Sequence, residues 1–172
     1  GYHEIKEHGK REFPFNIYPC SIPVDFSHVA LHWHEEMEII AVKKGKGRIT
    51  VDTVSYSVEE GDILAVFPGQ LHAISCESGK RMEYENIIFR LSMLMGDNGD
   101  DCTMHFLKPL QEGQAKKPVL IQRGQPDYEA FGQVIQELDK FSEQRGKGYQ
   151  LAVKGQLFLF LYYAYGRGIL FA

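Results

Sequence analysis

The sequence predicts a mainly β protein, a small antiparallel β-barrel or jelly roll followed by two helices that pack as an antiparallel hairpin. Two observations carry this. From Phe13 to Ile121 the chain is a series of short apolar segments, most of them alternating every two residues, separated by Gly, Pro and Asp turns; such alternation sends successive side chains to opposite faces of a strand. After Pro126 the apolar period changes to three and four residues, as one face of a helix requires. Strands first and helices second point to a layered β architecture with a helical appendage, not to an alternating α/β sheet.

The 172 residues, 44% of them hydrophobic, suffice for one well-filled core, and one domain is expected. The net charge is −4 and there is no long Lys/Arg run, so the chain lacks the electrostatic footprint of a nucleic-acid binder. Cys20, Cys76 and Cys102 are odd in number and form no Cys-x-x-Cys pair, which fits free thiols and a cytoplasmic address. The polar first ten residues do not read as a signal peptide. The longest apolar run, Leu157 to Tyr165, falls well short of the ~20 residues of a membrane-spanning helix.

Taken in order, residues 1–12 read as a charged arm that leads into a first strand around Phe13–Tyr18, where Pro14 suits an edge position. Leu31 to Val42 reads as one long strand on which His32, His34 and Glu38 share a face. Two imidazoles and a carboxylate on one face could ligate a divalent metal, or could hydrogen-bond one another inside a closed sheet. Lys43-Lys44-Gly45-Lys46-Gly47 is expected to turn, its basic residues forming a solvated hairpin tip. Arg48–Val51 and Val54–Val58 then form a hairpin about Asp52-Thr53. Ile63–Phe67 is a continuously apolar strand buried on both faces. His72–Cys76 is the next strand, placed to add a third imidazole beside the first strand. Met82 to Leu94 alternates again, with Tyr84, Asn86 and Ile88 on one face. Gly96–Asp101 lacks the order of a calcium loop and is expected to be a mobile acidic loop. Val119–Ile121 closes the β region.

Phe131, Val134, Ile135, Leu138 and Phe141 then fall on one face of a helix. Gly146-Lys147-Gly148 ends it, and Leu151–Tyr165 forms a second. Its stripe of Leu157, Phe158, Leu161, Tyr162 and Tyr165, with Phe160 off the stripe, is apolar around more of the circumference than a surface helix needs. A homodimer contact through this helix is therefore expected.

The chain resembles the cupin superfamily. The first cupin motif is matched by His32, His34, Glu38 and Gly45, although Phe26 stands where a Gly is expected. The second is matched by Gly61, Gly69 and His72, with Phe67 in place of Pro and Cys76 in place of Asn. The resemblance implies that His32, His34, Glu38 and His72 could hold one first-row divalent metal (Zn, Ni, Mn or Fe). Glu12-Phe13-Pro14-Phe15, His32 to Glu38, Gly61 to His72 and the helix pair together look like the N-terminal effector-binding domain of AraC-type transcription regulators. That resemblance implies a barrel at 1–124 with its arm, a dimerisation hairpin at 125–172, and a small-molecule effector bound near Lys44, Tyr84, Asn86 and Ile88. DNA would be read by a helix-turn-helix half absent from these residues. The alternative is a stand-alone metal-dependent cupin enzyme using the three-His one-Glu set; the terminal helices and the arm favour the sensor.

Overall fold

A computed structural model describes residues 2–4 and 8–172; the rest of the expected arm, residues 1 and 5–7, lies outside them. The strands are β1 (Tyr2–His3), β2 (Phe15–Ile22), β3 (Val29–Trp33), β4 (Met37–Val51), β5 (Val54–Glu59), β6 (Ile63–Val66), β7 (His72–Ser75), β8 (Met82–Phe89) and β9 (Val119–Ile121). A π-helical turn at Thr103–Leu107 runs into α1 (Lys108–Gln111), and α2 (Tyr128–Gln144) and α3 (Tyr149–Arg167) follow β9.

Two sheets share β4. Its first half, Met37–Ala41, lies between β6 and β8, with β9 beyond β6 and β2 beyond β8. Its second half, Arg48–Val51, lies between β5 and β7, with β3 and then β1 beyond β7. The pairing path runs from β1 to β9 without closing, so the expected barrel is instead two open sheets hinged on one strand. The lysine- and glycine-rich stretch expected to turn is the middle of β4. There the pairing with β8 slips between Val42 and Lys44, and Gly45 takes a left-handed φ of 77° that lets the chain cross from sheet to sheet. The hairpin after β4 does form at Asp52-Thr53, with Val51 opposite Val54 and Asp52 at a φ of 54°; Asp tolerates this conformation better than most non-glycine residues.

Alternation along the shared sheet sorts the core into two layers. Ile40, Val42, Leu64, Val66 and Tyr84 pack between the sheets against Ile49, Val51 and Ile74. Ile39, Ala41, Ile63, Ala65, Ile87 and Phe89 face the other way, onto Phe131, Leu138, Val153, Leu157 and Phe160 of the helices. The helices are therefore part of the main core. Phe131 meets Phe160 edge-on at 5.1 Å between ring centroids. Arg167 at the end of α3 grips Asp127 with two donors, at 2.6 and 2.8 Å, and donates to the Leu120 carbonyl of β9 at 2.6 Å; such a fork holds its partner in one orientation.

Three expectations need correction. Leu31–Val42 is two strands, interrupted at residues 34–36. The acidic loop leads into helix from Asp101 onward, entered where Asp100 accepts hydrogen bonds from the Thr103 backbone N–H (2.9 Å) and hydroxyl (2.6 Å). On α3, Leu157, Phe160 and Leu161 are buried within the chain, at 0%, 0% and 4% exposure. They cannot form the surface of a contact. Its exposed apolar side chains are Leu151, Phe158, Leu159 and Tyr162, while Tyr165 packs on Phe106 and Phe171.

Sheet and helix also meet through charge. Lys43 lies 3.1 Å from Asp139 of α2 and 3.5 Å from Glu85 of β8. Burial, with Asp139 beside it, pushes the Glu85 carboxyl up from 4.5 to about 7. The folded chain thus keeps a proton that the unfolded chain releases near pH 4.5, and between those values the native state binds more protons. Stability from this group therefore falls as pH rises through that window and is flat above it. Discounted for the partial exposure of the triad, the loss between pH 5 and 8 is expected to be about 1 kcal/mol. Glu85→Gln should remove this part of the slope, read as the difference in urea midpoint between the two pH values.

Candidate functional site

The site lies between the two sheets, where β3, β4, β7 and β8 bring together residues distant in sequence. At His34 the chain leaves β3, and the Gly69 N–H donates to the His34 carbonyl at 3.0 Å, tying the bend to the loop before β7. That loop is itself fixed. The Gln70 side chain accepts from the Phe67 N–H at 2.8 Å and donates to the Ala115 carbonyl at 3.3 Å. Nothing in the sequence pattern singled out Gln70.

His32, His34, Glu38 and His72 converge so that one ligand atom of each lies within 4.8 Å of the others. Each imidazole is oriented by a backbone carbonyl: Nδ1 of His32 donates to Ala30 (2.8 Å), that of His34 to Glu36 (3.1 Å) and that of His72 to Gln70 (3.0 Å). Since a carbonyl oxygen only accepts, Nδ1 carries a proton in all three rings, and Nε2 is the nitrogen left for the cluster. Nε2 of His34 lies 3.0 Å from Glu38 Oε1. Nε2 of His72 is fully buried and has no hydrogen-bond partner, although Glu38 Oε1 is 3.4 Å away.

The electrostatics follow from this crowding. Burial alone would raise the Glu38 carboxyl, but the nearby His72 imidazole and the hydrogen bond from His34 override it and hold Glu38 ionised far below the usual range. Burial pulls His34 down, yet its hydrogen bond and charge pairing with Glu38 raise it on balance. An imidazolium at His34 can donate through both nitrogens at once, as its two contacts require. His32 is lowered by burial and by His72, which favours a neutral ring with a free lone pair. Three inward Nε2 atoms, that of His72 orphaned, and one carboxylate are the donor set of a borderline divalent cation, which would displace the shared proton. The residues fit such a metal.

A cavity of about 650 Å³ opens beside the cluster and includes His32, Glu38, Ile74, Tyr84, Asn86 and Ile88 in its lining. Thus Tyr84, Asn86 and Ile88 of β8 meet the metal-type cluster on one wall. Lys44 does not line it; it is exposed on β4, opposite Glu83 of β8. Asn86 Oδ1 is buried without a hydrogen-bond partner, and the buried Tyr84 hydroxyl meets the Cys20 thiol, so the cavity presents polar groups among apolar side chains. Other grooves, such as one of about 480 Å³ along Lys46, Arg48 and Glu59, hold none of these histidines. The arm side chains Glu4 and His8 also reach the cavity, a contribution the charged arm gave no sign of.

Residues 23–161 match the family model of the AraC-like ligand binding domain. The chain belongs to this family. The AraC-like domain is 29% identical over 82 residues to an uncharacterized HTH-type transcriptional regulator, YdeC, of Bacillus subtilis strain 168. That match spans 47% of the chain and 28% of the regulator. Among solved structures it is similar to a cupin protein from Bacteroides fragilis (27% identity, 51% of this chain and 71% of that one, TM-score 0.37). It is also similar to a Bacillus subtilis oxalate decarboxylase (25% identity, 37% and 18%, TM-score 0.34). Among the described residues of the AraC-like domain, no helix is long and apolar enough to cross a membrane.

Proposed function

We propose that this AraC-like domain is the effector-sensing part of a transcription regulator, that the cavity between the sheets holds a small molecule, and that DNA is contacted by a separate helix-turn-helix region. The observation that carries the reading is the pairing of a partly apolar cavity with the buried, unpartnered Oδ1 of Asn86, beside the Tyr84 hydroxyl. A buried polar group without a partner is costly, and a ligand that supplies the missing hydrogen bonds recovers that cost. The division at about residue 125 and a homodimer through α3 belong to the same reading, with the dimer contact confined to Leu151, Phe158, Leu159 and Tyr162. Sensing then requires that the effector bind one arrangement of sheet and helices better than another.

His32, His34, Glu38 and His72 would hold the metal at one end of this cavity. When bound, such an ion acts as a Lewis acid toward oxygen ligands. This is also what favours the second reading, a metal-dependent enzyme. The two separate by experiment. A panel of sugars, organic acids and aromatics is screened by thermal shift against chelator-treated and Zn²⁺- or Mn²⁺-treated protein. An effector at about 100-fold its Kd should add about 2.7 kcal/mol of stability. Tyr84→Phe and Asn86→Leu should each weaken it at least tenfold. A ligand that binds both variants as well as wild type occupies another site and overturns the assignment. Steady turnover of a ligand by metal-treated protein would replace the sensor with the enzyme.

A further inference from the structure

A second cluster lies just behind the first. Glu4, from the arm, and His8 meet Glu36, and a ligand atom of each lies within 4.8 Å of the others. His8 and Glu36 are buried, at 6% and 3% exposure. His8 repeats the arrangement of the first cluster: Nδ1 is engaged by the Tyr18 hydroxyl at 2.9 Å, and Nε2 faces Glu4 Oε2 at 3.3 Å. Glu36 has its Oε2 held by Arg90 at 3.0 Å, while Oε1 stands 3.8 Å from Nδ1 of His34. One ligand atom of each group thus lies close to the others, with His8 Nε2 on Glu4 and one Glu36 oxygen not taken by Arg90.

We infer that Glu4, His8 and Glu36 form a second divalent-cation site, separate from the three-histidine cluster and joining the arm to the bend that carries His34. One imidazole nitrogen and two carboxylates suit Mn²⁺ or Zn²⁺, with water completing the coordination. Arg90 competes for Glu36, so this site is the weaker of the two. Its occupation fixes the arm against β3, where the Glu4 N–H already donates to the Trp33 carbonyl at 2.8 Å.

The test counts metal in the full chain, stripped with chelator, dialysed against Zn²⁺ or Mn²⁺ alone and assayed per mole of protein. Wild type should carry one equivalent more than His8→Ala and one more than Glu4→Gln. His72→Ala should retain that equivalent, which makes the result independent of whether the first cluster is filled. Circular dichroism of the metal-free variants guards against misfolding, which matters most for the buried His8, while Glu4→Gln changes only the charge of a partly exposed side chain. Arg90→Gln should tighten the second equivalent at least threefold, an effect that a purely structural network would not produce. Equal metal content in wild type and His8→Ala overturns the site. Loss of all metal in both His8→Ala and His72→Ala also overturns it, since a single shared ion would then explain everything.

Discussion

Gly45→Ala is expected to destabilise the domain by about 3 kcal/mol or more. Two costs add. A φ of 77° is left-handed, and an L side chain there costs roughly 1–2 kcal/mol. An ideal Cβ on Gly45 would also fall onto the Arg81 carbonyl, which belongs to rigid backbone beside β8, so β4 must shift. That shift is transmitted along a strand shared by both sheets. It moves Glu38 on one side and Val51, which pairs with His72, on the other. For a chain of this size the melting temperature should fall by about 10 °C. A metal held by the histidine cluster, as proposed, should bind more weakly with it. Gly79→Ala is the control: its φ is the same 77°, but its Cβ would meet nothing within 4 Å, so only the conformational cost should remain. Equal losses in the two variants would show that the close approach to Arg81 contributes nothing.

The position of Gly45 also shows where sequence reading succeeds and where it stops. Two glycines among lysines look like a turn, and only the pairing partners on both sides show a bent strand. The same limit applies to the metal-type cluster. Its membership was legible from the residue types and the motif spacing, but the proposed geometry was not. Along a regular strand, residues 34 and 38 stand about 13 Å apart at ~3.3 Å per residue, too far for the 3.0 Å contact between their side chains. The break at residues 34–36 brings them together. It depends on the Gly69 N–H from 35 residues away, a tertiary interaction with no local signal. Tyr84, Asn86 and Ile88 were legible because strand alternation survives folding intact. Lys44 was expected near the effector only from the family resemblance, and it lies outside the cavity, past the slip in pairing between Val42 and Lys44.

Phe160→Ala and Tyr162→Glu, two residues apart on α3, are expected to separate stability from self-association. Phe160 is completely buried and packs on Phe131. Removing its ring should cost about 3–5 kcal/mol, lowering the melting temperature by roughly 10 °C or more and loosening α2 and α3 together. Tyr162 is 70% exposed, and a surface change of this kind should shift stability by no more than about 0.5 kcal/mol. A glutamate there would, however, place a charge in the patch formed with Leu151, Phe158 and Leu159. If a second copy covers that patch, burying an unpaired charge is prohibitive, and Tyr162→Glu should be monomeric by light scattering at concentrations where wild type is dimeric. Sequence could not assign these roles, because α3 is apolar on both its buried and its exposed sides and the hydrophobic period does not say which side the sheet covers. A wild-type chain that is monomeric at high micromolar concentration would remove the dimer from the sensing scheme. The effector would then have to act through the arm, and Phe160→Ala would affect folding alone.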